Sequence, residues 1–363
     1  MADSLLQYPA MSGFAIGVDL GGTNLRIAAV EDNGTLLQKV TIGTRMVGGP
    51  HAVIDQMVAA IRELSAKYGR NSHLLGAGIG IPGITDKRTG TLRESPNLPG
   101  WQNYPVRDEI ERRLGAPVIL ENDANAAAFG EAWLGAARGI PDMLMVTLGT
   151  GVGGGIVLNG QIWHGMTGMA GELGHITVHA EGPRCGCGNL GCVEQYSSAS
   201  AIMRMAQEKI ADGSAPELAR AAASTDVEFN AKLVYNLAIQ GDRAAREIFR
   251  VVGWSLGILL ADMVNALNLR MYVIGGGVSA AWDMFSPAMF EEIRKRSMVY
   301  AATAPPDALG MRAGAAAQVT PYPEGEHTIV SRAVLGSDAG LYGAARLPMV
   351  ASERREHAHT PAL

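Results

Sequence analysis

Three cysteines and a histidine carry the most specific chemistry in this chain. His175 is followed by Cys185, Cys187 and Cys192, and these 3 are all the cysteines of a 363-residue sequence. One imidazole and three thiolates make a complete tetrahedral set for zinc. Gly186, Gly188 and Gly191 allow the tight turns that bring three sulfurs to one point. An odd number of cysteines confined to 185–192 excludes a disulfide framework. Free buried thiols or a redox pair fit that spacing poorly. On spacing alone, His179 competes with His175 for the fourth position. A closed four-ligand site is structural, so its expected task is to fix the loop bearing Glu172 and Glu194.

Glycine-rich turns offer a second chemistry, anion binding. In Asp19-Leu20-Gly21-Gly22-Thr23-Asn24-Leu25-Arg26 the glycines let backbone N–H groups approach a phosphate and Thr23 adds a hydroxyl donor. Asp19 suits Mg²⁺, held through water. A plain tight hairpin turn is the alternative. Leu148-Gly149-Thr150-Gly151-Val152-Gly153-Gly154-Gly155 holds more glycine than a turn needs, so the stretch is expected to cradle phosphate. Gly275-Gly276-Gly277 suits either a nucleoside or close packing against the next helix. Glu121-Asn122-Asp123-Ala124-Asn125 stands where a strand should end and a helix begin. N-capping needs only one such residue, and here four polar residues crowd the junction. An aspartate at a helix start near phosphate loops suits general-base work on a hydroxyl. Asn122 would hold the same substrate by its amide.

The elements that must position these groups are readable from periodicity. Residues 14–18 form a short apolar strand entering the first glycine turn, and 25–30 and 36–41 are strands joined by Asp32-Asn33-Gly34. Val53, Met57, Ile61 and Leu64 predict a helix over 52–68. Buried strands are expected at 75–81 and 118–120, and an alanine-rich helix at 123–134, with a domain seam there before Gly135. Strand 143–148, its glycine turn and a strand beginning at Gly155 repeat the opening pattern. The repetition predicts a duplicated fold with facing phosphate loops. Helices are expected over 199–211, 228–240 and 244–267, and a strand over 271–274. The class is α/β. Residues 353–363 lack apolar periodicity and are expected to be loose.

Composition removes other classes. Hydrophobic residues make up 47% and charged residues 18%, which supplies a buried core and excludes a disordered chain. The length favours two domains. A net charge of −5 with no basic run argues against a nucleic-acid binder. The 46 glycines have no triplet period, so the chain is not collagen-like. The start, MADSLLQYPAMSG, has no basic residue and no long apolar run, unlike a secretory signal. The longest uncharged apolar stretch, 251–261, is too short to span a bilayer, so no membrane partner is expected. The confined cysteines fit a reducing cytoplasm.

The motifs DLGGTNLR at 19–26, GIPG at 80–83, NLPGW at 97–101, ENDANAAA, LGTGVGGG, and GELGH followed by CGCGNLGCVEQY resemble, in that order, those of the ROK family of sugar kinases and repressors. The resemblance covers about 16–347. It implies a two-domain actin-like ATPase (ribonuclease H-like) fold with a central cleft. The expected parts are an N-terminal extension at 1–13, a smaller α/β domain at 14–134 with a return helix at 338–348, a larger α/β domain at 135–337 carrying a zinc loop at 175–192, and a flexible tail at 349–363. It further implies that Asp123 is the catalytic base. Asn97, Asn122, Asp123, Glu172, His175 and Glu194 would bind the sugar. Asp19, Gly21, Gly22, Thr23, Asn24, Gly149, Thr150 and Gly151 would contact ATP and Mg²⁺, and Gly275, Gly276 and Gly277 the adenosine side. His175, Cys185, Cys187 and Cys192 would hold structural Zn²⁺, which decides against His179. Arg26 resembles a motif arginine without an assigned role. Repressors of the family carry a helix-turn-helix ahead of the glycine motif, and only 18 residues precede Asp19. A kinase is therefore expected, with sugar and ATP as partners, no nucleic acid, and a homodimer as the assembly. The run Glu194-Gln195-Tyr196-Ser197-Ser198-Ala199 is similar to that of the family's glucose kinases. The expected reaction is ATP-dependent in-line phosphorylation of glucose at its 6-hydroxyl. An N-acetylmannosamine kinase or a broad hexokinase is the alternative.

Overall fold

Apolar runs separated by turn residues fold the start of the chain into a meander. In the computed structural model, residues 13–70, 72–95, 97–224, 228–305 and 325–359 are described. The N-terminal extension before Gly13 and the last four tail residues lie outside them. β1 (Gly13–Leu20), β2 (Asn24–Glu31) and β3 (Leu36–Gly43) are followed by α1 (Gly49–Tyr68), β4 (His73–Ile81) and a two-stranded ribbon of β5 (Ile84–Asp86) and β6 (Thr91–Glu94). Then come α2 (Val106–Leu114), β7 (Val118–Asn122) and α3 (Asp123–Trp133). The second half opens with β8 (Met143–Leu148), β9 (Val152–Leu158) and β10 (Gln161–Ile162). Helices α4 (Glu194–Ser197), α5 (Ala199–Ala211), α6 (Pro216–Ala223), α7 (Ala231–Ile239) and α8 (Arg243–Leu267) precede β11 (Met271–Gly275). The chain ends with α9 (Trp282–Arg296), α10 (Met298–Thr303), β12 (Ile329–Arg332) and α11 (Ala339–His359).

Two compact units result. One runs to Leu134 and also takes Met166–Gly168 and the chain from Asp338; the other is Gly135–Gly165 and Met169–Ser337. Each holds a five-stranded sheet, ordered β3-β2-β1-β4-β7 and β10-β9-β8-β11-β12. In each the first three strands in sequence are antiparallel, and the last two join parallel to the first. The duplicated strand–glycine–Thr–strand pattern thus appears as two sheets of one topology.

Side-chain alternation sorts the core of the first unit. Phe14, Ile16 and Val18 of β1 pack with Val53, Met57 and Ile61 of α1, while Ala15 faces Leu341, Ala345 and Met349 of α11. In the second unit Leu144, Val146 and Leu148 pack against Phe249, Leu256 and Leu260 of α8 and Phe285 and Met289 of α9. Each such side chain contributes about 1.5–3 kcal/mol on burial. The apolar stretch at 251–261 belongs to α8, a largely buried helix. Among the described residues no helix is long and apolar enough to cross a membrane.

Three expectations need correction. Gly153, Gly154 and Gly155 are strand residues paired with Thr147, Val146 and Met145, so the second glycine turn is confined to 149–151. A Cβ at Gly154 would lie 2.4 Å from Leu173, which accounts for glycine there by packing. The helix expected from 228 begins at Ala231, because Asn230 caps it by accepting from the Leu233 N–H at 3.1 Å. The tail at 349–363 is not loose throughout. α11 continues through His359 despite Pro348, and Met349, 1% exposed, anchors it to β1 and β2. Ribbon β5–β6, α2, β10, α4, α6, α9, α10 and β12 lie outside the elements expected from the sequence, although α2 and α9 carry apolar residues at helical spacing.

Candidate active site

In the first unit the chemistry gathers at the C-terminal ends of β1 and β7. Asp19 and Arg26 are cross-strand partners in the β1–β2 ladder, and the Arg26 guanidinium pairs with the Asp19 carboxylate. Burial pushes the Asp19 carboxyl above its ordinary range, Arg26 pulls it down, and Asp338 adds a smaller upward push. Lys39 holds Asp338 at 2.8 Å. The turn between them is closed by Gly21 N–H donating to Asn24 O at 2.9 Å, and the Thr44 hydroxyl donates to Gly21 O at 2.8 Å. The carbonyl of Asn97 would lie 3.1 Å from a Cβ at Gly22, so the segment bearing Asn97 abuts the first glycine turn.

β7 delivers Asn122 and Asp123 to the start of α3. Asn122 is the N-cap: its Oδ1 accepts from Ala124 N–H at 2.9 Å and Asn125 N–H at 3.1 Å. The plain capping role is therefore real, and Asn122 Nδ2, not engaged in the cap, reaches Gly83 O at 3.4 Å. Asp123 is the first residue of the helix, and its Oδ1 accepts from Ala124 N–H at 2.9 Å. A helix N-terminus favours negative charge, so the fold supports a carboxylate there. Behind it, Glu121 is 2% exposed and pairs with Lys87 at 2.5 Å. The sequence reading gave neither residue a role. Glu121 lies inside a quoted motif, but nothing in the sequence links it to Lys87, which sits on the ribbon turn.

The second unit carries its groups on loops. The turn at 149–151 is closed by Gly149 N–H donating to Gly151 O at 2.9 Å. It is tied to the start of α5, where Ala199 N–H donates to Gly149 O at 2.9 Å and the Ser200 hydroxyl to Thr150 O at 2.8 Å. Gly276 has φ +83, and its missing Cβ would come within 2.4 Å of Leu148 O. Glycine is thus required there for close packing behind the second turn, whereas Gly277 faces open space.

Residues 163–193 contain little regular structure, and the thiol cluster sits within them. One ligand atom from each of His175, Cys185, Cys187 and Cys192 lies within 4.8 Å of the others. Cys187 Sγ and Cys192 Sγ are 3.7 Å apart, and Cys185 Sγ is 3.6 Å from His175 Nδ1. A tetrahedral zinc ion with bonds of ~2.3 Å to sulfur and ~2.0–2.1 Å to nitrogen demands separations of about 3.8 and 3.6 Å. Burial and the neighbouring thiols push Cys192 up to about 12, whereas a hydrogen bond from the backbone at Asn189 lowers Cys187. Three sulfurs at this spacing, if all ionised, would require a cation between them. His179 is not in the group: its Nδ1 lies 3.3 Å from the Tyr196 hydroxyl, and both rings meet Trp254 edge-on. Glu194 connects the cluster to the second glycine turn, accepting from Val152 N–H at 2.9 Å while its other oxygen lies 3.9 Å from Cys185 Sγ. Glu172 precedes a short 3₁₀ turn, Leu173–His175, and is exposed.

This chain is 38% identical to a glucokinase of Halalkalibacterium halodurans, over 90% of this chain and 92% of that one. It is 36% identical to a glucokinase of Thermotoga maritima, over 92% and 96% respectively. Among solved structures it resembles a ROK family glucokinase from Streptomyces griseus in complex with glucose and AMPPNP, with TM-score 0.70 and 33% identity over 92% of this chain and 99% of that one. Residues 15–349 match the ROK family model. With the paired sheets and the glycine turns already described, this match makes the chain a member of the ROK family.

Proposed function

We propose that this protein is an ATP-dependent sugar kinase that phosphorylates glucose to glucose 6-phosphate. The observation that carries the reading is Asp123 at the first position of α3, in a chain similar over nine-tenths of its length to proteins named glucokinase. Asp123 accepts the proton of the sugar 6-hydroxyl as O6 attacks the γ-phosphorus of ATP. The O6–P bond forms, the bond from phosphorus to the β–γ bridging oxygen breaks, and ADP leaves. Asn97, Asn122, Glu172, His175 and Glu194 hold sugar hydroxyls. His175 presents Nδ1 to Cys185, so its sugar contact falls to Nε2. Backbone N–H groups of 21–24 and 149–151 hold the ATP phosphates, and Gly277 lies open toward the nucleoside. Mg²⁺ bound with ATP neutralises phosphate charge, and Asp19 is the side chain suited to hold it through water. Zn²⁺ on His175, Cys185, Cys187 and Cys192 fixes the loop that presents Glu172 and Glu194.

A coupled ADP-release assay across glucose, mannose, fructose, N-acetylglucosamine and N-acetylmannosamine tests the substrate. Glucose should have the highest kcat/KM. An N-acetyl sugar ranking above it would replace glucose as the substrate.

A further inference from the structure

We infer that the pair of half-buried Lys87 and buried Glu121 is a positioning device for the carboxylate of Asp123. The inference rests on the reading of Asp123 as the base. Glu121 is the penultimate residue of β7, two before Asp123, and its side chain is 3% exposed. A single oxygen, Oε1, accepts from three donors: Lys87 Nζ at 2.5 Å, Asn122 N–H at 2.9 Å and Asn125 Nδ2 at 3.1 Å. Lys87 Nζ also donates to Leu120 O at 3.0 Å. The pair therefore grips residues 120, 121, 122 and 125, on both sides of Asp123.

Stability alone does not explain such an arrangement. Burying the Glu121 carboxylate costs desolvation that a pair with partly exposed Lys87 recovers only in part, and an apolar pair of similar volume often serves a fold as well. What the charges add is direction. Three donors converging on one oxygen allow the Glu121 side chain a single orientation, and through it they set the angle at which strand becomes helix. The Asn122 cap fixes the helix side of the same junction. Burial of Lys87 lowers its pKa while Glu121 raises it, so the partner sustains the ammonium. A base must lie within hydrogen-bond reach of the hydroxyl it serves, and displacement by about 1 Å can slow turnover on the order of a hundredfold. Ground-state sugar binding, spread over several hydroxyl contacts, is less sensitive to one residue's position.

The test compares Lys87→Met, Lys87→Arg, the double variant Lys87→Met with Glu121→Leu, and Asp123→Asn. Readouts are kcat, glucose KM, glucose Kd by calorimetry, and Tm. Lys87→Met should lower kcat roughly ten- to a hundredfold with glucose KM and Kd within about threefold of the parent. Lys87→Arg, which keeps charge and donors, should recover most of the turnover. The double variant leaves Asn122 N–H and Asn125 Nδ2 without their acceptor, so its Tm should fall; assayed well below that Tm it should remain slow with glucose Kd unchanged, which separates positioning from stability. If Lys87→Met fails to fold, the double variant decides: folded and slow supports the inference, folded and fast overturns it. A Lys87→Met enzyme with kcat within threefold of the parent, alongside an inactive Asp123→Asn, overturns the positioning role and leaves the base assignment standing. Near-normal turnover in Asp123→Asn overturns both.

Discussion

The two units share a sheet topology yet hold their functional side chains by opposite means. In the first, Asn122 and Asp123 sit where β7 becomes α3, and backbone hydrogen bonds, an N-cap and the Lys87–Glu121 ion pair orient them. In the second, Glu172, His175 and Glu194 belong to a stretch with few regular elements, where a metal held by His175, Cys185, Cys187 and Cys192 would draw the loop together. A strand–helix junction is rigid because its backbone groups are already paired. The loop at 163–193 has turn bonds and the isolated bridges Thr177–Cys192 and Arg184–Leu190 but no continuous ladder, so a bound metal would add a cross-link there. The lesson is that position can be secured by secondary structure or by coordination.

The largest effect should come from the first unit. Asp123→Asn keeps the shape and removes the base, and kcat should fall by about two to four orders of magnitude while calorimetric glucose affinity changes little. A modest loss would mean that the junction positions something other than a base. Next comes the coordinated loop. Cys187→Ser, or dialysis of the parent against a strong chelator, should strip the metal and abolish activity together, since structural ion binding and local folding are one equilibrium. Elemental analysis should find zinc in the active parent, about one ion per chain for a single four-ligand site; active protein without it would remove the contrast between the units.

Smaller effects sharpen the contrast. Glu194→Ala leaves Val152 N–H without its acceptor, and the penalty for such a group is about 1–3 kcal/mol. Thermal unfolding should register the loss, and ATP KM should rise because the second glycine turn loosens. An unchanged ATP KM would show that the loop and the turn are independent. Asn122→Ala should cost about 1 kcal/mol through the lost cap, seen in Tm, whereas Asn122→Ser should restore stability without restoring the amide's contact to sugar. Equal Tm in both variants would remove the cap from the account of how Asp123 is held.

The sequence was most legible where local rules act alone. The meander β1–β3, helix α1, the Asn122–Asp123 junction and the three cysteine ligand candidates follow from apolar period, turn residues and ligand spacing. It was least legible where distant partners decide. Gly153–Gly155 looked like a cradle because glycine runs favour turns, but strand pairing with β8 claimed them. The tail looked loose because its own periodicity is weak, but Met349 found an apolar site on β1 and β2. Ligand spacing left His175 and His179 equal; the family resemblance favoured His175, and the grouping of His175 with the cysteines and the packing of His179 against Tyr196 and Trp254 agree.

By itself, then, the sequence determined which residues can do chemistry and the α/β class, since residue types and short-range periodicity need no knowledge of distant contacts. The tertiary structure alone decided that Lys87 meets Glu121, that Glu194 reaches the second glycine turn, and that Gly276 packs on Leu148. Those pairings join residues far apart in the chain. They arise from chain reversal and burial, which bring together groups whose sequence neighbours give no sign of one another.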